Sequence, residues 1–469
     1  MVTDPNTQDK PTLSLKSVVE SVNLPGLLKR CCFTKRSGAT PMQLLMAVVC
    51  SVFYGADNIY RLYRMHLSET VECSRDAVYR FMKNPKHDWD NLLLTLAIKI
   101  ITFIETLCSP DHIFTLSVDD TIIERPRGKK VEMLSWMFDH VFHRNVRAFA
   151  DLAIGWSDGR SFIPLLSRLV ASRKEKNLIR PGNKNIDQRT RGAQRRRDAL
   201  KRKPDLVVEM VKKILSRGIP ASHILMDTWF YSNSLFVRLQ QLNIFSIAMV
   251  KKNVRFRLEK NSPLKTQKAL LKTLTQAAGN IVASTFAYNS KGTRLLLVFV
   301  RNRNNPKEFL TLVTNDLKLT PEQVVSLYCR RWLIEVNFKA QKQYFGLDSE
   351  CQAHDFDTIN SFVAVSSIRY MLMELMRRYQ KDDLSMGEVF SKTGEAMREI
   401  PFIDALDSLM AHFVNIVDEL DRAGCIKEGC LQKAREIVVD RLSSWFTDTL
   451  TFISMQLNWP ARKAQLLQA

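Results

Sequence analysis

Several things are missing from this chain of 469 residues. No apolar run reaches the roughly 18 residues that a bilayer-crossing helix needs; long ones such as "LLMAVVCSVFYG" at 44–55 stop short. The opening, "MVTDPNTQDKPTLS", has neither the basic start nor the apolar centre of a secretory signal, so a cytosolic setting is expected. Nine cysteines are an odd number, and no two form a CxxC pair, which argues against a disulfide framework and a structural zinc site. His140 and His143 in "FDHVFHRN" lack a Cys or third His at finger spacing, and fit satisfied helix residues better than a metal pair. Acids are short as well. Lys and Arg outnumber Asp and Glu by 69 to 48, a formal charge of +21, so a polyanionic partner is the first expectation. Neither an internal repeat nor a low-complexity tract is evident apart from one basic stretch.

What is present suffices for a large core in two to four domains, since 45% of residues are hydrophobic. Residues 1–110 read as a helical, DNA-binding domain. "ATPMQLLMAVVCSVFYG" starts a helix with Thr40 as cap and Pro41 in the first position. A second helix fits "DNIYRLYRMHL". A third begins at Ser74 and sets Ala77, Val78, Phe81 and Met82 against Arg75, Arg80 and Lys83, as in a helix-turn-helix-like module whose outer face meets phosphate. A helical bundle with a solvated charged face is the plainer alternative.

From residue 112 the pattern changes to strands. "HIFTLSVDD" alternates with period two, and "RAFADLAIGWSDGRSFIPLLSRL" reads as two strands joined at Ser157 to Gly159. The helix "DLVVEMVKKILSRG", the strand "HILMD", the helix "SNSLFVRLQQL" and the strand "FSIAMVKK" follow. Antiparallel strands followed by alternating helices and strands suggest an α/β mixed sheet of the ribonuclease H-like kind over 111–251, completed by 319–349. The segment 252–318 reads as an inserted β-rich subdomain, and 350–469 as a helical C-terminal region suited to dimer contacts. "RTRGAQRRRDALKRK", Arg189 to Lys203, carries eight basic residues and one acid, Asp198. It reads as a solvated loop in which Arg195, Arg196 and Arg197 contact the DNA backbone.

Three carboxylates stand out. Asp119 and Asp227 each end an apolar strand, where ligands collect in α/β sheets and where an unpaired acid is costly. Glu335 lies in a helix expected over 321–345. At about 100° per residue, Tyr328, Arg331, Glu335 and Lys342 fall near 0°, −60°, −20° and −40°, on one narrow face. A solvent-facing Arg331–Glu335 pair explains that stripe equally well. Should the three acids converge, they suit Mg²⁺ or Mn²⁺, and a pair of such ions can drive in-line attack on phosphorus. Arg331 and Lys342 would then hold phosphates, and Tyr328 would stack on or bond a nucleotide.

Tyr328, Arg331, Glu335 and Lys342 reproduce the Y-(2)-R-(3)-E-(6)-K signature of bacterial DDE transposases of the insertion-sequence-four type. "VDDT" resembles that family's first strand end and "MDTWFYS" its second motif, over roughly 112–350. Asp120 adjoins Asp119, so the first acid is uncertain by one position, and Trp229 stands where a small residue is commoner. Some relatives stack a tryptophan of the insertion on a flipped base; 252–318 holds no Trp, which leaves Tyr288, Phe286 or Phe299. The resemblance implies a bacterial, nucleoid-associated enzyme that binds terminal inverted repeats and cuts and joins DNA with two Mg²⁺ held by Asp119, Asp227 and Glu335. It implies a homodimer on paired ends of double-stranded DNA. The rivals are a ribonuclease H-like nuclease without strand transfer and a catalytically silent DNA-binding descendant.

Overall fold

The computed structural model describes residues 14–56, 58–64, 73–140, 142–302, 305, 308–379, 384–427 and 429–449. The chain divides into two compact units, 1–390 and 391–469.

The first unit opens with helices α1 (Leu15–Ser21), α2 (Leu24–Arg30), α3 (Pro41–Ser51), α4 (Ile59–Arg64), α5 (Arg75–Met82) and α6 (Trp89–Glu105). Thr40 and Gln43 form a reciprocal capping box at the start of α3, and Ser74 caps α5 by accepting from the Ala77 amide. As expected, α5 buries Ala77, Val78, Phe81 and Met82 while Arg75, Arg80 and Lys83 stay exposed. The second expected helix, over 57–67, is described as α4 from Ile59 to Arg64, and 57 and 65–67 lie outside the described residues.

Strands β1 (Thr115–Glu124), β2 (Ser135–Asp139), β3 (Arg144–Ser157) and β4 (Phe162–Val170) come next. Helices α7 (Arg191–Ala199) and α8 (Lys203–Leu215) lead to β5 (His223–Met226), and α9 (Asn233–Gln240) leads to β6 (Phe245–Val250). A small β7–β8 pair (Arg255–Phe256, Lys265–Thr266) and α10 (Gln267–Leu271) precede β9 (Ile281–Tyr288), β10 (Arg294–Arg301) and β11 (Phe309–Thr314). Three helices close the unit's core: α11 (Pro321–Cys329), α12 (Trp332–Gln343) and α13 (Phe356–Tyr379).

One nine-stranded sheet organises this unit, in the order β2-β3-β1-β5-β6-β11-β10-β9, with β4 also on β3. β1, β3 and β4 pair antiparallel, whereas β1, β5 and β6 are parallel. β5 is buried throughout, as a strand covered on both faces should be. The 252–318 segment is β-rich as expected, yet its three long strands extend the central sheet instead of standing apart from it. β11 pairs with β6, and Leu296, Val298 and Leu312 share one core with Leu225, Ile247, Val324 and Leu327. The "FDHVFHRN" stretch is a β2–β3 hairpin turn, not a helix. The helix expected over 321–345 is two helices, broken at Arg330 and Arg331. There the amides of Arg330 and Arg331 bond three residues back, to Leu327 and Tyr328, in the tighter 3₁₀ manner.

Helix α13, at the start of the stretch expected as a helical C-terminal region, packs into the core of the first unit. It is buried on nearly every side between β4 and helices α1, α3, α5 and α6, as its lack of a polar face requires. Arg369, fully buried within it, ties the N-terminal helices in. Its guanidinium donates to the carbonyls of Val48, Val49 and Phe345, to Ser51 Oγ and to Glu350. Helix α14 (Met386–Arg422) lies in the second unit from residue 391 onward and is followed there by α15 (Leu431–Thr449), with an Arg435–Asp418 ion pair at 2.8 Å and Val414, Val417 and Val439 buried.

Candidate active site

The parallel register of β1 and β5 pairs Val118 with Met226, so the next residues, Asp119 and Asp227, stand side by side on strands about 4.8 Å apart. Asp119 extends an apolar strand; Asp227 follows the last residue of β5, where the chain turns toward α9. The turn holds the Asp227 side chain, since Oδ1 accepts the amides of Trp229 (2.9 Å) and Phe230 (3.3 Å). Burial raises the Asp227 carboxyl above its ordinary range, against those two hydrogen bonds and the positive charge of Arg331.

The α11–α12 break delivers the third acid. Arg331 donates to Asp119 Oδ2 at 3.0 Å and also to Glu335 Oε1, so one guanidinium bridges the first and third carboxylates. It lies over the Tyr328 ring, 5.9 Å from the centroid. Burial pushes Tyr328 up to about 12. Burial likewise lifts Asp119 to about 7; Arg331 and the Asp120 amide oppose that rise, while Asp227 and Asp120 add to it. Lys342, the last residue of the signature, reaches back to β1 and donates to the Ile122 carbonyl at 2.8 Å. Tyr328, Arg331, Glu335 and Lys342 thus all turn inward.

Adjacent residues of a strand face opposite ways, and this separates Asp119 from Asp120. Asp119 meets Arg331, whereas Asp120 pairs with Lys203 of α8 at 2.8 Å. That lysine also sits 4.9 Å above the exposed ring of Trp229. Asp151 of β3 is an acid that the sequence reading missed. It pairs in register with Thr121, two residues from Asp119 on the same face, and is buried. Burial pushes it up to about 7, with the Ser167 hydroxyl and Lys342 opposing and Asp120 contributing. A lone acid inside "RAFADLAIGWS" was the signal available.

The basic stretch is not a solvated loop. Thr190 caps α7, which turns Arg195 and Arg196 inward. Arg195 pairs with Asp357 and donates to the His87 carbonyl at 3.0 Å. Arg196, 9% exposed, holds Glu132 at 2.7 Å and Asp357 at 2.8 Å. These two arginines neutralise buried carboxylates, so the geometry gives them to the fold and not to a DNA backbone. Arg197 is exposed and bonds Gln188 and Gln194. Among the aromatics of the 252–318 segment, Phe299 is buried, while Phe286 is 41% exposed beneath Arg294.

Among the described residues no three acids, histidines or cysteines stand close enough together to hold a metal ion. At this site the Arg331 guanidinium lies between Asp119 and Glu335 and bonds both. No described helix is long and apolar enough to cross a membrane.

Residues 62–271 match the family described as DDE superfamily endonuclease, and residues 192–367 match the transposase DDE domain. The first match contains Asp119 and Asp227; the second contains Asp227 and the Tyr328, Arg331, Glu335 and Lys342 set. The comparison with curated proteins gives no match. Among solved structures the chain is similar to the Drosophila P element transposase strand transfer complex, at 10% identity, over 94% of this chain and 88% of that one, with a TM-score of 0.21. The two family matches, which overlap over 192–271, support a DDE transposase.

Proposed function

We propose that the chain is a transposase that binds the terminal inverted repeats of its own element, frees the element by cut-and-paste cleavage and joins its 3′-hydroxyl to target DNA. The observation that carries this reading is the Asp119–Arg331–Glu335 bridge beside Asp227, where β5 ends against the middle of the parallel strand β1. The β4-β3-β1-β5-β6 order, antiparallel then parallel, supports a ribonuclease H-like catalytic core.

The chemistry of the donor set suits a hard divalent cation, while its present spacing, with Arg331 between Asp119 and Glu335, is too wide to hold one. Asp119 and Asp227 are adjacent carboxylates whose burial makes a positive partner favourable, and Glu335 is one guanidinium away. Asp119, Asp227 and Glu335 would hold Mg²⁺ or Mn²⁺, which when bound supplies activation of a water or 3′-hydroxyl and stabilisation of the leaving oxygen. Arg331 keeps Asp119 and Glu335 together and offers the planar fork that suits a phosphate. Lys342 and Tyr328 position the DNA end, and exposed Arg197, with Arg75 and Arg80 of α5 and Lys83 at its C-cap, lies open to the backbone. The enzyme acts as a homodimer on paired ends. In the 391–469 unit Phe413, Ile416 and Leu420 make an exposed apolar row at helical spacing that a second copy would cover.

Incubation with duplex carrying the element's flanks and Mg²⁺, with cuts mapped to the nucleotide, tests the reading. Asp227→Ala is expected to abolish cleavage while DNA binding persists, and pre-cut ends are expected to join to target DNA. Cleavage without joining would make it a nuclease; undiminished cleavage by Asp227→Ala would remove the proposed site altogether.

A further inference from the structure

The sheet runs on past the site as a two-stranded ribbon of β2 and the first part of β3. Its register pairs Trp136 with Arg147 and Phe138 with Asn145. Along β3, Asn145, Arg147, Phe149, Asp151 and Ala153 alternate onto one face, and Ala153 stands opposite Asp119. Trp136 and Phe138 therefore share the face of the sheet that carries Asp119. That face is covered as far as Phe149, which is fully buried 5.8 Å from the Phe356 ring. Beyond it Trp136 and Phe138 are 45% and 46% exposed, and Phe142 at the turn is 68% exposed.

Three exposed rings close together on one ribbon are a contact surface in search of a partner. The charge around them identifies its kind. The Arg147 guanidinium lies 5.3 Å over the Trp136 ring and that of Arg144 lies 5.5 Å over Phe142. Exposed Arg127, Lys129 and Lys130 stand in the β1–β2 connection. The acids of the region are already engaged: Glu132 by Arg196, Glu124 by Arg144, and Asp139 by the Phe142 amide.

We propose that this ribbon is a second DNA contact, lying in a groove of the duplex whose end is held at Asp119. Trp136 and Phe138 press on sugars and base edges, and Arg144 and Arg147 take phosphates. The inference rests on the DNA-processing reading of the site and adds to it a location. Arg147 and Asn145 lie six and eight residues along β3 from Ala153, or roughly 20 and 27 Å at about 3.4 Å per residue. At about 3.4 Å per base pair, the ribbon meets the duplex about six to eight base pairs from the bond attacked.

The test compares the intact protein with Trp136→Ala/Phe138→Ala, a Trp136→Tyr/Phe138→Tyr rescue and Asp119→Asn. Anisotropy and hydroxyl-radical footprinting use a labelled duplex carrying the element's flanking end. The double alanine variant is expected to bind about ten-fold or more weakly and to lose protection six to eight base pairs from the cut, with Tm unchanged. The tyrosine variant should regain both. Unchanged affinity and footprint would overturn the proposal. So would loss of self-association in sedimentation with the footprint intact, since the ribbon would then join copies of the chain. Asp119→Asn should lose cleavage and keep the protection at the ribbon, which keeps the two readings separable: a ribbon-dependent footprint without any cleavage by the intact protein would sink the enzyme and leave the contact, and cleavage without ribbon dependence would do the reverse.

Discussion

Replacing Arg331 by Gln removes the one charge that both Asp119 and Glu335 lean on. The three side chains are 15%, 19% and 35% exposed, so water screens the bridge only in part. Burial lifts the Asp119 carboxyl to about 7, and Arg331 is the strongest influence holding it down. An acid raised in the fold prefers its proton there. Its contribution to stability is full below about pH 4 and is lost as pH rises through about 7. A shift of about three units corresponds to roughly 4 kcal/mol, an upper bound for a carboxyl that keeps some contact with water. A pair at about 4 Å with an effective dielectric near 20 is worth roughly 4 kcal/mol, and the amide of Gln restores about 1 kcal/mol through a neutral hydrogen bond. A net loss of about 1.5–3 kcal/mol remains, equivalent to one or two further pKa units on Asp119. Thermal unfolding at pH 5, 7 and 9 reads this directly. Arg331→Gln should fall increasingly below the parent as pH rises, with its pH-dependent loss extending one to two units higher, and adding Asp119→Asn should remove that extra slope. Parallel profiles for Arg331→Gln and the parent from pH 5 to 9 would refute the electrostatic account of the bridge.

Other expectations follow from the same contacts. Asp151→Asn keeps an acceptor for Ser167 and removes a carboxyl raised to about 7, so it should stabilise the protein at pH 8 by about 2–4 kcal/mol and leave pH 4 unchanged, as measured by denaturant titration. Glu350→Gln leaves the fully buried Arg369 without its counter-ion and should lower stability by about 3–5 kcal/mol by the same measurement. Gly155→Ala would drive a methyl into the Phe162 ring where β3 and β4 shift register, for a loss of about 1–3 kcal/mol seen as a lower Tm. DNA affinity should fall steeply with salt, and a flat salt response would count against any phosphate-gripping role for Arg331 and Lys342.

Much of the site was legible because it rests on local rules. Period-two alternation put Asp119 on its strand, the apolar run "HILM" put Asp227 at a strand end, and the four spaced residues from Tyr328 to Lys342 marked the third acid. Capping chemistry placed the starts of α3, α5 and α11 at Thr40, Ser74 and Thr320. What sequence alone withheld was long-range pairing. Arg195 and Arg196 look solvated until Glu132 and Asp357 arrive from 64 and 161 residues away. The β9–β11 strands look like a separate body because nothing local announces that β11 docks on β6. Asp151 was overlooked because only the register of β3 on β1 brings it beside Asp119.

The Arg369 junction bears on how such a protein can be rebuilt. Its guanidinium finds acceptors on Val48, Val49 and Ser51, some 318 to 321 residues away along the chain. A shortened version starting near residue 111 would take away the Val48, Val49 and Ser51 acceptors, leave that cation with Glu350 and the Phe345 carbonyl, and bare the flank of α13. The N-terminal helices are therefore not a free cassette: any recombination that swaps them must also supply acceptors at the seam where Val48, Val49 and Ser51 meet Arg369.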